Sequence, residues 1–301
     1  MILYSTQNNH LQEIKERPFR LEKEIQTIFE ANLSCIMGLE LVRSEFTIKN
    51  KRIDTLAFDV QSNAFIIIEY KRDRNISVVD QGFTYLSLML ENKADFIIEY
   101  NESLNRSLKR EEVDWSQTRV AFVSPSFTDN QIQATNFKDL AIELWEVRQY
   151  ENNTISINPI KKSSSAVSIK PITEQNQALR IVTDEIKVYT EQDHLDKCPD
   201  QIVELYDKFK NAIFNLADGI EIKPQKLYIA FKKGRNIADI VLFKKMLRIF
   251  INIRTGQLDD PKGLTTDVSA IGHWGNGDYQ LQAEDDSNLE YIMSLIKQAI
   301  P

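Results

Sequence analysis

The chain has 301 residues, 42% of them hydrophobic and 27% charged, with a net charge of −7; this excludes disorder, collagen-like repeats and small disulfide scaffolds and suits two domains. Cys35 and Cys198, with His10, His194 and His273, are scattered, which excludes a sulfur-rich zinc site and leaves hard, oxygen-ligated ions such as Mg²⁺ or Mn²⁺. No stretch reaches the roughly 18 to 20 apolar residues of a membrane span, and Met1 to His10 lacks the layout of a secretory signal, so a cytoplasmic address with no membrane partner is expected.

Pro18, followed by Leu21, Ile25, Ile28, Phe29 and Leu33 at helical spacing, predicts an amphipathic helix over 21–33. Strand-like runs follow at 41–47, 52–60 and 64–71. Ile66, Ile67 and Ile68 are continuous rather than alternating, which predicts a strand buried on both faces, as in a layered α/β domain. Ser77 with Asp80 three residues on signals the start of a second helix carrying Phe83, Leu86 and Leu90. Further strands are predicted at 95–100, 119–123 and 141–147, with an edge strand at 154–160. Lys161-Lys162, Ser163 to Ser165 and Pro171 mark residues 161–190 as a linker between a domain at 1–160 and another at 191–301. The second domain reads as α+β. It has a helix from Pro199-Asp200 to Gly219, strands at 227–232, 237–243 and 247–253, a Gly-rich turn at 272–277, and a terminal helix at 288–300.

The sharpest constellation is Asp54 with Glu69-Tyr70-Lys71. If 52–60 and 64–71 form a hairpin centred on Gln61-Ser62, residues whose numbers sum to 123 face each other, and Asp54 faces Glu69. Facing β-carbons lie roughly 4.5 to 5.5 Å apart, a separation at which two carboxylates can share one cation. Lys71 projects from the same face, beside the apolar Leu56, Phe58, Phe65 and Ile67. A desolvated carboxylate pair needs compensation from Lys71 or a metal; the same three residues would also serve as an ordinary cross-strand salt bridge. Gln81 and Tyr85, four apart, share a helix face. Asp207 with Glu221-Ile222-Lys223 repeats the string, but with Asp207 in a predicted helix and Gly219 breaking the chain between them.

Glu22-Lys23-Glu24-Ile25-Gln26, Arg52-Ile53-Asp54-Thr55-Leu56, Ile67-Ile68-Glu69-Tyr70-Lys71 and Gln81-Gly82-Phe83-Thr84-Tyr85 together resemble the PD-(D/E)XK superfamily, with its restriction-endonuclease-like fold. Within it they are most similar to the RecB-like branch with NucS-like endonuclease domains. The resemblance covers residues 19 to 100 and thins out by 150. It implies a mixed-sheet α/β core and a metal-dependent nuclease connected with DNA repair or defence. Asp54, Glu69 and the Tyr70 carbonyl would hold Mg²⁺ or Mn²⁺, and Lys71 would orient or activate water. Glu24 would be the completing acid of the first helix, ahead of Glu22 and Glu30, with Gln81, Tyr85 and Arg52 on the substrate. Ile53 departs from the proline of the family pattern. The implied partner is DNA, with branched, mismatched and single-stranded forms as candidates, and a homodimer is a candidate assembly.

Residues 221–255 hold nine basic against two acidic residues, a local +7, while 256–301 hold two against eight, a local −6. The overall charge is thus an average over unlike parts and does not exclude a phosphate-bearing partner. Lys232, Lys233 and Arg235 are candidate phosphate contacts, or else a solvated strand face. His273-Trp274-Gly275-Asn276-Gly277 reads as a tight Asn-Gly turn, with a ligand pocket rimmed by His273 and Trp274 as the sharper reading. This region resembles an uncharacterised domain that recurs behind NucS-like domains. An inactive nucleic-acid-binding or protein-interaction protein keeping the nuclease fold is the alternative function.

Overall fold

A computed structural model describes residues 2–72, 77–163, 165–174, 176–271 and 275–301, and the chain divides into two units, Met1–Val188 and Tyr189–Pro301. The first contains β1 (Leu3–Gln7), β2 (His10–Ile14), α1 (Glu22–Ala31), α2 (Leu33–Met37), β3 (Glu40–Ile48), β4 (Lys51–Asp59) and β5 (Ala64–Tyr70). Then come α3 (Val78–Glu91), α4 (Lys93–Leu104), β6 (Arg119–Ser124), α5 (Asp129–Thr135), β7 (Ile142–Gln149), β8 (Ile155–Ile160), α6 (Lys170–Thr173) and α7 (Gln177–Glu185). Strands β3 to β8 form one six-stranded sheet in sequence order. Its β5–β6 and β6–β7 pairs are parallel and the others antiparallel. This is the mixed α/β sheet expected of the first domain.

The turn between β4 and β5 sets the register. Asp59 accepts the backbone N–H groups of Gln61 (3.0 Å) and Ser62 (3.4 Å), a local bond that favours turn over strand, and Asn63 takes the left-handed conformation at φ 48°. Asp59 also pairs with Arg119 at 2.9 Å, tying the turn to β6. The ladder then runs from Asp59↔Ala64 to Thr55↔Ile68, so Asp54 and Glu69 are the next positions in the expected register.

Every residue of β5 is buried. Phe65 and Ile67 pack with Phe83, Leu86 and Met89 of α3 and Phe96 of α4; Ile66, Ile68 and Tyr70 pack with Ile25 and Phe29 of α1. Two helical layers cover the sheet, and the continuous isoleucines report that burial.

Two expectations are corrected. Residues 95–100 are helical, within α4: Phe96, Ile97 and Tyr100 are buried while Ile98 is exposed, a helical period that a short apolar run conceals. The described residues of 161–188, rather than bridging two domains, fold onto the first unit, with Ile169, Val182 and Ile186 in its main core. The β1–β2 hairpin had no counterpart in the sequence reading.

The second unit holds α8 (Glu191–Leu195), α9 (Asp200–Phe214), β9 (Glu221–Pro224), β10 (Ile229–Lys233), β11 (Arg235–Leu242), β12 (Leu247–Ile251), β13 (Thr266–Asp267), β14 (Tyr279–Ala283) and α10 (Leu289–Lys297). The strands form an antiparallel sheet in the order β13-β14-β12-β11-β10-β9. Apolar residues of α9 and α10, including Phe209 and Ile296, cover one face. Asn276-Gly277 is not a two-residue hairpin turn. The Asn276 N–H and side-chain amide bond the buried Asp239 at 2.7 and 3.2 Å, and a β-carbon on Gly277 would sit 2.0 Å from the Ile251 carbonyl oxygen. Close approach, not a positive φ, demands that glycine. His273 and Trp274 lie outside the described residues.

Gly82 makes a similar demand in α3, where an added β-carbon would lie 2.3 Å from Ile142 Cδ1 and 2.9 Å from its Cγ1. Gly82→Val should push α3 off the sheet and cost about 1 to 3 kcal/mol by overpacking, read as a lower urea midpoint with an unchanged slope.

Candidate active site

The site is assembled where β4 and β5 end beside α3. Glu69, only 5% exposed, is held by three donors. Lys71 Nζ and Gln81 Nε2 donate to its Oε1 at 2.7 and 2.9 Å, and the Tyr85 hydroxyl donates to its Oε2 at 3.0 Å. Gln81 and Tyr85 reach one carboxylate because they lie one helical turn apart on α3, whose first turn is capped by Ser77. Burial, followed by the charge of Glu69, pushes the Tyr85 phenol upward, which keeps it a donor.

Asp54 accepts the Tyr70 N–H at 3.0 Å. Strict alternation breaks at this point of β4, since Ile53 and Leu56 both join the core on the α3 side. Across the ladder from Asp54, between the pairs Ser44↔Thr55 and Phe46↔Ile53, stands Glu45 at φ 58°. Burial and then the charge of Glu69 raise the Asp54 carboxyl to about 6, against the Tyr70 N–H and Lys71, which pull it down; Glu22 adds a further upward push. Two partly desolvated carboxylates thus crowd each other, with Lys71 as the nearby cation.

Glu24 does not join them. Its carboxylate accepts the Arg20 N–H at 3.0 Å, and it stands about 200° round α1 from Glu22. The acids of α1 that face the strand ends are Glu22, which accepts the Arg72 N–H at 2.9 Å, and Glu30, which accepts the Thr55 hydroxyl at 2.5 Å. Between them Gln26, 3% exposed, donates to the Asp54 carbonyl at 2.8 Å and to Glu30 at 2.9 Å. Gln26 was not anticipated as a site residue. The signal was present in the four-residue spacing of Glu22, Gln26 and Glu30, which makes one polar stripe on an otherwise amphipathic helix.

The remaining expected residues fall elsewhere. Arg52 pairs with Glu45 at the surface, and its carbonyl accepts the Tyr85 hydroxyl at 3.3 Å. The Tyr70 ring turns to the opposite face of the sheet, edge-on to Phe29, leaving only its backbone at the site. Lys232, Lys233 and Arg235 flank the β10–β11 turn of the second unit at Gly234, and Arg235 reaches the Ala299 carbonyl. Asp207 lies in α9, so the second copy of the string builds no site.

Asp54 and Glu69 supply the oxygen donors a hard cation prefers. Among the described residues no group of three or more His, Cys, Asp or Glu side chains forms a metal cluster. No helix among them is long and apolar enough to cross a membrane.

Residues 191–300 match a family described as a domain of unknown function, DUF5655. The whole chain is 57% identical over 300 residues to an uncharacterised protein of Haemophilus influenzae, covering 99% of it. The chain belongs to the family of that protein. Among solved structures, a repair endonuclease from Pyrococcus abyssi is 18% identical at a TM-score of 0.23, over 40% of this chain and 44% of the other. An apo EndoMS structure is 16% identical at a TM-score of 0.25, over 44% and 58%. A structure of EndoMS with double-stranded DNA is 16% identical at a TM-score of 0.22, over 43% and 57%.

The raised Asp54 carboxyl has a consequence for stability. A folded value of about 6 lies above the ordinary 3.8, so the folded state holds its proton more tightly and stability falls as pH rises from about 4 to 6. Asp54→Asn, which keeps an acceptor for the Tyr70 N–H, should remove that dependence. At pH 7 in metal-free buffer it should stabilise the protein by about 1 kcal/mol after allowance for solvent screening, measured as denaturation midpoints across pH.

Proposed function

We propose that this protein is a divalent-cation-dependent endonuclease that hydrolyses phosphodiester bonds in DNA, acting on structured rather than sequence-specific sites. The observation that carries the reading is the pair of Asp54 and Glu69 at adjoining ends of β4 and β5, with Lys71 bonded to Glu69 at 2.7 Å. The motif resemblance of residues 19–100 supports it.

Asp54 and Glu69 would hold Mg²⁺ or Mn²⁺, which supplies charge neutralisation at the phosphoryl oxygens and a lowered pKa for water. The chain's own contribution is positional. Gln26 holds the Asp54 carbonyl, and Gln81 and Tyr85 hold the Glu69 carboxylate. Lys71 puts a cation where negative charge gathers in the transition state. Water would attack phosphorus as the P–O3′ bond breaks, giving up one proton to solvent while the leaving oxygen takes one from solvent, which leaves a 5′-phosphate and a 3′-hydroxyl.

One observation favours a second reading, a DNA-binding protein without turnover. Both Glu69 oxygens are engaged by Lys71, Gln81 and Tyr85, and a cation must displace or share those donors. Nicking of branched, mismatched and single-stranded DNA with Mg²⁺ or Mn²⁺ separates the two. Asp54→Ala, Glu69→Ala and Lys71→Ala should each lower cleavage at least about 100-fold while retaining the circular dichroism of the fold. Undiminished cleavage by all three variants overturns the nuclease reading, and binding without cleavage by the native chain selects the second.

A further inference from the structure

We infer that a groove at the entry to α1 is a docking track for the DNA backbone, an inference that rests on the nuclease reading and adds a substrate-binding surface to it. The groove, of about 670 Å³, is lined by Arg17, Arg20, Lys23, Leu21, Glu24 and Gln149, among others. Three of its residues are cationic and one is acidic.

How those charges are spent decides the case. Lys23 pairs with Glu45 at 2.9 Å. The one acid, Glu24, turns a carboxylate oxygen to the Arg20 backbone. Arg17 reaches only the neutral Gln149 amide, at 3.4 Å. Among the described residues neither Arg17 nor Arg20 carries an ion pair. Two guanidinium groups in a concave surface, not neutralised by a carboxylate, are suited to phosphate oxygens, which they can grip with two parallel bonds. The exposed Leu21 of the same groove offers an apolar surface for a sugar or base.

Hydrogen bonds tie one wall of the groove to the segment that follows β5. The Arg20 carbonyl accepts a bond from the Arg72 guanidinium at 2.9 Å, and the Arg72 N–H donates to Glu22 at 2.9 Å. Arg72 follows Lys71 directly, and Glu22 is the α1 acid whose charge acts on Asp54. The Arg20 backbone is thereby fastened to the segment that carries Lys71. The sequence offers Arg52 and, where local charge is highest, Lys232, Lys233 and Arg235 as basic contacts; Arg17 and Arg20 stand among acids and are visible only once the fold groups them.

The test is binding of a fluorescently labelled, partly single-stranded DNA duplex by the full chain in EDTA, by anisotropy at stepped salt. Arg17→Glu/Arg20→Glu should weaken affinity at least about tenfold near 0.1 M salt and lower the slope of log affinity against log salt by about 1 to 2, as two lost phosphate contacts require. Arg17→Gln/Arg20→Gln should show the same slope change with a smaller loss, and it decides the matter if charge reversal impairs folding. Native affinity and slope in the Gln variant overturn the track, as does failure of the native chain to bind DNA. A nicking assay run alongside separates the two proposals. Groove-dependent binding without native cleavage leaves the track standing and removes the nuclease, whereas native cleavage with unaltered variant binding does the reverse.

Discussion

A four-residue turn governs the chemistry of this protein. Asp59 folds the chain back on itself by bonding Gln61 and Ser62, and it is itself anchored by Arg119. A slip of one residue in the β4–β5 ladder would send every side chain of one strand to the other face. Asp54 would then lose Glu69 as its neighbour, and Phe58 and Phe65, now 5.1 Å apart edge to face, would lose each other. Hydrophobic burial on both sides of β5 and turn chemistry at its start thus enforce one register. The carboxylate pair is a by-product of that packing, displayed where the strands run out.

Around the pair the fold supplies uncharged and cationic donors. Glu69 receives an ammonium, an amide and a phenol from two elements; Asp54 receives a backbone N–H and crowds Glu69. Satisfying the bonds of a buried carboxylate is obligatory, and α3 can do it because Gly82 lets the helix lie close to Ile142 while Gln81 and Tyr85 lean toward Glu69. One small residue between two polar ones makes that arrangement possible.

The sheet core, the hairpin and the Gln81–Tyr85 face were legible because each rests on local periodicity or a turn signal. Other features were not, and three of them show why. In α4 the run Phe96-Ile97-Ile98 resembles a short strand, and only packing shows that Ile98 points outward. Residues 161–188 have a linker's composition, yet Ile169, Val182 and Ile186 are enough apolar surface to fasten them. The choice among Glu22, Glu24 and Glu30 depends on the rotation of α1 about its axis, which is set by burial of Ile25 and Phe29 and shows itself only against the sheet.

Gln26 sits amid acidic and basic residues: Asp54, Glu30, Glu45 and Lys23 all lie within one or two bonds of it. Its amide takes up no proton and loses none across the working range of a protein. The helix is therefore joined to the strand by a neutral rivet, indifferent to acidity and weakly affected by salt, so the electrostatic landscape at the strand ends can be redrawn without moving the frame that holds it.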